Sequence, residues 1–333
     1  MRAQILTEQA AVASRPLDFV DHPDPEPTAH EIRVRIEACA VCRTDLHLIE
    51  GDIQPAKLPV IPGHQIVGTV EQTGFDARRF QLGDRVGIAW LRHTCERCED
   101  CRRGKENLCR YSEYTGSHAD GGYAESCVVD ENYAYPMGDA LSAFETAPLL
   151  CSGIIGYRAL ERAALPPAGR VGLFGFGSSA ALVARLARHR GHPFYAFSRG
   201  AAHLAEAREL GAEWAGDPGE RPGEELDAAI VFAPAGEVVP PALRAIRPGG
   251  RVVLAGIHMS DLPAIDYERH LFHEKSLTSV EANTRADGRA FLDEALAAGI
   301  KPRVQVFPLD RANEALAGLK SGQLEGTAIL DCS

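Results

Sequence analysis

The stretch VGLFGFGSSAALVARLARHRG, at residues 171–191, decides the fold. It begins with an apolar run that ends in glycines, as a buried strand does. The rest of the stretch has helical periodicity and stops at a glycine. Further apolar runs follow in FYAF, LDAAIVFA and RVVLAGI, with helical stretches between them. Strands that alternate with helices predict an α/β domain with a doubly wound parallel sheet.

The turn between this first strand and helix has the pattern G-F-G-S-S-A. Gly175 permits a tight turn, Gly177 lets the backbone approach a pyrophosphate, and Ala180 is small enough for helix and strand to pack closely. The helix N-terminus offers free N–H groups and a positive dipole to phosphate oxygens. We therefore predict a dinucleotide site, the alternative being a glycine-rich turn without a ligand. The residues predicted to contact the cofactor here are Gly175, Gly177, Ser178, Ser179, Ala180, Ala255, Gly256 and Ile257.

The residues after the next strand indicate which dinucleotide binds. An NAD site has an acidic residue there, about 20 positions after the glycines, that binds the ribose 2′-hydroxyl. This chain has Ser198 and Arg199 instead, and an arginine fork with a hydroxyl suits a phosphate dianion. We predict that NADP(H) is preferred and that NAD(H) is possible. In the alternative, Arg199 is a solvated surface residue and both cofactors are accepted.

The first half of the chain is rich in short strands. Four runs either alternate apolar and charged residues or are β-branched and bounded by glycines. They are IRVRIEA (32–38), QIVGTVEQTG (65–74), GDRVGIA (83–89) and GGYAESCVV (121–129). Short strands separated by turns predict a barrel or a sandwich. A chain of 333 residues is long enough for two domains.

The composition indicates which kinds of partner and which cellular compartment to expect. The formal net charge is -11, which argues against nucleic acid as a main partner because phosphate binding needs a basic field. No stretch resembles a membrane span, and MRAQILTEQA has no signal-peptide core. With nine cysteines and no export signal, the expected location is cytoplasmic, where thiols remain free to bind metal.

Four cysteines form a C-x2-C-x2-C-x7-C run at Cys95, Cys98, Cys101 and Cys109. Most residues between them are charged and cannot form an apolar core. A closed tetrahedral Zn²⁺ site would hold such a lobe together, so we predict a structural zinc ion. The alternatives are two disulfides or chance clustering, and tight CxxC spacing without an export signal favours metal.

A second group of polar residues is spread over three motifs. A single Cys or His in an apolar context is more often a packing residue than a ligand, so each motif alone is weak. The residues are Cys42, Thr44, Asp45 and His47 in CAVCRTDLH, His64 in PGHQIVG, and Cys151 in APLLCSGIIGY.

Together with the four-cysteine run and the glycine loop, these motifs resemble those of the zinc-dependent medium-chain dehydrogenase/reductase family, in its alcohol dehydrogenase branch. The resemblance extends over essentially the whole chain. It implies a GroES-like β-barrel catalytic domain at residues 1–150, completed by residues 291–333. It also implies a Rossmann NADP-binding domain at residues 151–290, with the active site in the cleft.

The resemblance assigns a catalytic zinc ion to Cys42, His64 and Cys151. Three protein ligands leave a fourth position open for water or a substrate oxygen. Asp45 matches the carboxylate that orients the ligating histidine. Gln65 stands where the family usually has Glu, so the site has one negative charge fewer.

The resemblance also assigns residues to the substrate. Thr44 matches the hydroxyl that hydrogen-bonds the substrate oxygen, and His47 matches the end of the proton relay. Trp90 matches a bulky residue that lines the substrate pocket. Arg285 is a candidate for a contact with the cofactor pyrophosphate.

The implied function is that of a zinc-dependent alcohol dehydrogenase or aldehyde reductase, which transfers hydride between NADP(H) and a primary alcohol or aldehyde. Cys151 resembles the third ligand of alcohol and cinnamyl alcohol dehydrogenases, whereas polyol-type relatives tend to use a carboxylate. Two alternatives remain: a polyol or secondary-alcohol dehydrogenase on the same scaffold, and a non-catalytic NADPH- and zinc-binding protein. By analogy with relatives, we expect a homodimer or homotetramer.

Overall fold

The structure is a computed structural model that describes residues 1–333. The chain folds into two compact units. The first comprises Met1–Cys151, Thr284–Arg289 and Lys301–Ser333, and the second comprises Ser152–Asn283 and Ala290–Ile300.

Strands and short helices form the first part of the chain, and longer helices alternate with strands in the second. In chain order the first elements are β1 (Arg2–Leu6), β2 (Leu17–Asp21), β3 (Glu31–Ala40), α1 (Arg43–Glu50), β4 (Ile66–Thr73), β5 (Arg85–Ile88), β6 (Leu91–His93), α2 (Glu99–Arg102), β7 (Glu113–Tyr114), β8 (Ser126–Asp130), β9 (Ala134–Pro136) and α3 (Ala143–Thr146). There follow α4 (Ser152–Ala163), β10 (Val171–Phe174), α5 (Ser178–His189), β11 (Phe194–Phe197), α6 (Ala201–Glu209), β12 (Trp214–Gly216), β13 (Leu226–Val231), α7 (Val239–Ala245), β14 (Ile246–Leu254), α8 (Tyr267–His270) and β15 (Ser276–Ser279). The last elements are α9 (Arg285–Ala297), β16 (Val304–Pro308), α10 (Ala312–Ser321) and β17 (Thr327–Asp331). The longest helix has 13 residues, and none of the helices combines the length and the apolar composition needed to cross a membrane.

A seven-stranded sheet forms the core of the first unit. Its strands lie in the order β16-β17-β3-β4-β5-β9, and β8 also pairs with β3. Along β3 the side chains of Ile32, Val34 and Ile36 are fully buried, as the period of two in IRVRIEA predicts. The antiparallel pairing of β17 with β3 brings the C-terminal end of the chain into this sheet.

One predicted strand forms only in part. Of residues 121–129, the second half lies in β8, whereas Gly121, Gly122 and Tyr123 bind a loop. Their backbone N–H groups donate to the carbonyl oxygens of residues 61, 63 and 62, at N–O distances of 2.7, 3.0 and 3.0 Å. The segment therefore satisfies its N–H groups on the loop that leads to His64 instead of extending the sheet.

A six-stranded parallel sheet forms the second unit. Its strands lie in the order β12-β11-β10-β13-β14-β15, and every neighbouring pair is parallel. The prediction of a doubly wound α/β domain from residues 171–191 is confirmed. The strand order reverses between β10 and β13, and ligands of such sheets bind at this point, beyond the carboxyl ends of the strands.

The division of the C-terminal part differs from the predicted boundary at residue 291. Residues Ala290–Ile300 group with the second unit, and Thr284–Arg289 group with the first. Phe291 accounts for part of the difference, because its side chain is 1% exposed. Its ring fills the space where a Cβ on Gly153 would lie, and its centroid is 6.0 Å from that of Tyr157. Burial of this ring holds the segment in the second unit.

Candidate active site and metal centres

Cys42, His64 and Cys151 come together in the first unit. Their ligand atoms all lie within 4.8 Å of one another, and the two sulfur atoms are 3.9 Å apart. Two thiols and one imidazole are donors that Zn²⁺ prefers, and three protein ligands leave one tetrahedral position open. This donor set therefore fits a catalytic zinc ion.

The start of α1 places Cys42 and Asp45. Cys42 is the N-cap residue, and its Sγ accepts a hydrogen bond from Thr44 N–H at 3.4 Å. Asp45 Oδ2 accepts one from Cys42 N–H at 2.9 Å. Cys42 and Asp45 form a capping box, in which Cys takes the position usually occupied by Ser or Thr. The interactions that begin the helix thus also fix the sulfur atom and the carboxylate.

His64 is fully buried, and only one of its ring nitrogens has a partner within the protein. Nδ1 lies 2.9 Å from Asp45 Oδ1, which leaves Nε2 for a metal ion. A buried polar atom without a partner costs about 1–3 kcal/mol. Coordination of zinc by Nε2 would remove that cost, and the Asp45 bond would set the orientation of the ring.

The Cys42 thiol lies in surroundings that favour the thiolate. A hydrogen bond from Cys151 lowers the pKa of Cys42 well below its usual range, and the neighbouring His64 acts in the same direction against the effect of burial. The thiolate is the form in which cysteine binds metal.

Thr44 and His47 both lie on α1, the helix that begins at Cys42. Thr44 Oγ1 is 3.6 Å from Cys42 Sγ. His47 Nδ1 is 2.7 Å from Asp52 Oδ2, because the left-handed Gly51 ends the helix and turns the chain back. Sequence reasoning missed Asp52, since a spacing of five residues does not place two side chains on one helix face.

The indole ring of Trp90 packs against the imidazole ring of His64. The two ring centroids are 5.0 Å apart and the rings meet edge to face at 76°. Tyr114, which the sequence did not single out, stacks on Trp90 at 4.9 Å and 13°. The hydroxyl of Ser112 donates to the Tyr114 hydroxyl oxygen at 2.9 Å. A flat aromatic surface therefore lies beside His64.

The four-cysteine run forms a second cluster in the first unit. All four sulfur atoms lie within 4.8 Å of one another. The Cys98–Cys101 and Cys95–Cys109 sulfur distances are 3.5 Å, too long for disulfide bonds. Backbone hydrogen bonds, first that of Arg97, lower the pKa of Cys95 to about 6. Four sulfur donors grouped in this way fit a closed tetrahedral zinc site.

The glycine loop lies at the switch point of the second unit. Gly175 has φ +90, and a Cβ there would lie 2.6 Å from the backbone nitrogen of Ala233. Gly177 is the N-cap of α5 and supplies no side-chain cap. A Cβ on Gly177 would meet nothing within 4 Å, and such open space at a helix N-terminus fits a pyrophosphate.

The turn after β11 contains the residues predicted to select the cofactor. Arg199 is exposed, whereas Ser198 is only 6% exposed. Ser198 Oγ accepts a hydrogen bond from Gly200 N–H at 3.3 Å and lies 3.5 Å from His203 Nδ1. Ser198 thus orders the turn, in which Arg199 is the basic side chain, and His203 follows on the first turn of α6.

Ala255, Gly256 and Ile257 follow β14 at the same edge of the sheet. Ala255 N–H donates to Val231 O at 2.8 Å, and Ile257 is 51% exposed. Their position is therefore compatible with the predicted contacts to a dinucleotide.

Comparisons with known proteins agree with this geometry. The alcohol dehydrogenase GroES-like domain matches residues 28–139, and the zinc-binding dehydrogenase model matches residues 180–297. The probable alcohol dehydrogenase AdhA of Mycobacterium tuberculosis (strain CDC 1551 / Oshkosh) is 48% identical over 320 residues, which cover 95% of this chain and 92% of that protein. The chain belongs to the zinc-dependent medium-chain dehydrogenase/reductase family, in its alcohol dehydrogenase branch.

Solved structures show the same two-part fold. A cobalt- and zinc-bound thermostable alcohol dehydrogenase from Pyrobaculum aerophilum has a TM-score of 0.90 and 25% identity, with 99% of each chain covered. An NADP-bound zinc-binding dehydrogenase, described as putative, from Sinorhizobium meliloti 1021 has a TM-score of 0.87 and 25% identity, with 99% of this chain and 98% of that chain covered. The predicted alcohol dehydrogenase class and its combination of GroES-like and Rossmann domains are confirmed.

Gln65 is the residue at which this alcohol dehydrogenase departs from the usual pattern. Its side chain is fully buried. Nε2 donates to Ala40 O at 3.3 Å, and Oε1 has no hydrogen-bond partner. The Gln65 side chain thus has a buried carbonyl oxygen without a hydrogen-bond partner, directly after His64 in the chain.

Arg285 has a different role from the pyrophosphate contact suggested by the sequence. Its guanidinium binds both carboxylate oxygens of Glu106, with N–O distances of 2.6–3.1 Å, and Glu96 at 2.9 Å. It also lies 4.5 Å above the ring of Tyr133. Glu96 and Glu106 belong to the four-cysteine lobe, so Arg285 anchors the lobe of this dehydrogenase.

Proposed function

We propose that this alcohol dehydrogenase prefers NADP(H), interconverts primary alcohols and aldehydes, and holds one catalytic and one structural zinc ion per chain. One observation supports the catalytic metal above all. The buried His64 has an Nε2 without a partner and is grouped with the Cys42 and Cys151 thiols. A polyol-type site would be expected to replace Cys151 by a carboxylate.

The side chains around this centre have separate roles in the proposed reaction. A zinc ion bound there supplies Lewis acidity toward an alcohol or carbonyl oxygen. The Thr44 hydroxyl binds that oxygen and passes a proton toward His47. Asp52 accepts the Nδ1–H of His47 and so favours the tautomer whose other ring nitrogen can take up a proton. Asp45 fixes the His64 ring throughout.

Replacing Asp52 by Asn should lower kcat about tenfold, a part of the 10²–10⁴-fold effect typical of general acid–base groups. The amide has no charge to favour the Nδ1–H form of His47. Steady-state rates of alcohol oxidation measure the effect, and Asp52→Glu is the control because it keeps the carboxylate. An unchanged kcat in D52N would show that Asp52 does not support the relay.

The cofactor preference is supported by the turn after β11. Arg199 is exposed there, His203 lies close by, and no carboxylate follows the strand to accept a 2′-hydroxyl. The Sinorhizobium meliloti structure was solved with NADP. A hydrogen bond between an arginine and a phosphate dianion is about twice as strong as one between neutral groups. Arg199 would therefore favour binding of NADPH over NADH.

We expect Arg199→Ala to raise the KM for NADPH by about 10–100-fold, since hydrogen bonds to charged groups contribute about 1.5–3 kcal/mol. The KM for NADH should change little because NADH has no 2′-phosphate. Arg269→Ala, at an exposed arginine of the same unit, is the matched control. Equal effects of R199A on both cofactors would contradict the assignment.

The substrate class can be tested with the intact protein. Initial rates of NADPH oxidation would be measured with aromatic and medium-chain aldehydes, with and without prior zinc chelation, and with NADH in parallel. The flat Trp90–Tyr114 surface leads us to expect turnover of aromatic aldehydes that is sensitive to chelation. Faster turnover of ketones or polyols would favour the alternative dehydrogenases. No turnover despite two zinc ions and bound NADPH would favour a non-catalytic protein.

A further inference from the structure

Tyr123 is a fully buried residue to which the reaction above gives no role. It lies in the segment that binds the loop before β4, and its hydroxyl donates to Asp45 Oδ2 at 3.2 Å. We propose that Tyr123 is a positioning residue of the catalytic metal site, whose hydroxyl holds Asp45 in the orientation that fixes His64. The inference rests on the proposed metal site at Cys42, His64 and Cys151.

The Asp45 carboxylate has three donors, one of which is Tyr123. Oδ1 lies 2.9 Å from His64 Nδ1, and Oδ2 accepts from Cys42 N–H at 2.9 Å and from the Tyr123 hydroxyl. Asp45 is only 3% exposed, so water cannot replace a lost donor. Without the hydroxyl, one bond to backbone would remain on Oδ2, and the carboxylate could turn away from the imidazole.

The ring of Tyr123 packs against the segment that contains His64. A Cβ on Gly63 would lie 2.4 Å from Tyr123 Cδ1, and Gly63 has φ +96. Tyr123 N–H donates to Pro62 O at 3.0 Å. Tyr123 therefore contacts the segment that contains His64 through its ring and its backbone. Through its hydroxyl it contacts Asp45, the hydrogen-bond partner of His64. The hydroxyl can be removed without removing the ring.

The hydroxyl acts as a donor in all relevant conditions. Burial and, after it, the charge of Asp45 raise the pKa of Tyr123 well above its usual range. The hydroxyl therefore keeps its proton and donates a hydrogen bond to Asp45 Oδ2. Partners that orient a ligating histidine typically change metal affinity by 10–100-fold when they are removed.

Tyr123→Phe should shorten the half-time of zinc release from the catalytic site about tenfold. Release of zinc from the full-length protein to an excess of chelator would be followed with a colorimetric indicator. Zinc should leave the wild-type protein in two kinetic phases, one for each site. The phase that is missing in Cys151→Ser belongs to the catalytic site, because this variant keeps only the four-cysteine cluster. The visible spectrum of Co²⁺-substituted Y123F should also differ from that of wild type, since it reports ligand geometry at the metal.

Tyr133→Phe is the matched control. Tyr133 is also a buried tyrosine, and its hydroxyl oxygen accepts from Thr94 N–H at 2.8 Å, next to the four-cysteine lobe. We expect Y133F to leave the catalytic phase unchanged and Y123F to leave the lobe phase unchanged. The retained lobe phase also shows that Y123F is folded. In an Asp45→Ala background, which removes the acceptor, the Y123F effect should disappear, because the two residues act through one bond.

The outcomes separate the two proposals. If the wild-type protein held only one zinc ion, and released it at the same rate as the Cys151→Ser variant, the proposed metal site would be refuted and the proposed function with it. A wild-type protein with two zinc ions and a Y123F variant with the same release and cobalt spectrum would overturn only the role of Tyr123. Equal acceleration by Y123F and Y133F would also overturn that role.

Discussion

Replacing Cys42 by Ala should reduce turnover by about 10⁴-fold or more, because Lewis-acid stabilisation of several kcal/mol corresponds to that factor. Cys42 is one of the three proposed metal ligands and, as the N-cap of α1, accepts a bond from Thr44 N–H. Its loss removes the thiolate that the site favours most strongly. NADPH binding should persist, since the predicted cofactor residues lie in the second unit.

The measurement has three parts: zinc content, NADPH affinity from fluorescence, and initial rates. Cys127→Ala is the matched control, because Cys127 is a buried cysteine of β8 that belongs to neither ligand cluster. We expect this variant to keep two zinc ions and wild-type turnover. An active C42A protein would refute the assignment of the catalytic metal.

Replacing Thr44 by Val should lower kcat by about 10²–10⁴-fold, the range typical of a group that moves a proton in the reaction. Valine has nearly the same shape as threonine, and Thr44 is 5% exposed, so packing is preserved. The backbone N–H that binds Cys42 Sγ is also retained. Zinc content and NADPH affinity should therefore be unchanged.

Thr44→Ser separates the hydroxyl from the methyl group. We expect Thr44→Ser to keep most of the activity. The steady-state kinetics of T44S and T44V would be measured side by side on proteins with the same zinc content. If T44V and T44S lost activity equally, the loss would come from packing and not from the hydroxyl. A wild-type kcat in T44V would remove Thr44 from the reaction.

Residues with local sequence signals could be predicted. The run from Cys95 to Cys109 places its ligands within one lobe, and Gly175 to Ala180 form a single turn between a strand and a helix. The spacing alone determines such sites. The ligand set of Cys42, His64 and Cys151 has no such local signal, and it was identified through its resemblance to a family.

Contacts between distant parts of the chain could not be predicted. Tyr123 and Asp45 are separated by 78 positions, and Arg285 and Glu106 by 179. Both contacts depend on the way the loops pack, which no periodicity in the sequence reports. The placement of residues 290–300 likewise depends on where the ring of Phe291 is buried.

The four-cysteine lobe lies between β6 and β7. This position links the lobe to the aromatic pair Trp90 and Tyr114. Trp90 directly precedes β6, Tyr114 ends β7, and Thr115 N–H donates to Trp90 O at 2.9 Å. The hairpin that closes the lobe thus also stacks Trp90 on Tyr114. Cys42 and His64 are held by α1 and by the loop before β4, outside that hairpin. Opening of the lobe would therefore disturb the Trp90–Tyr114 stack before it reached the two segments that hold Cys42 and His64.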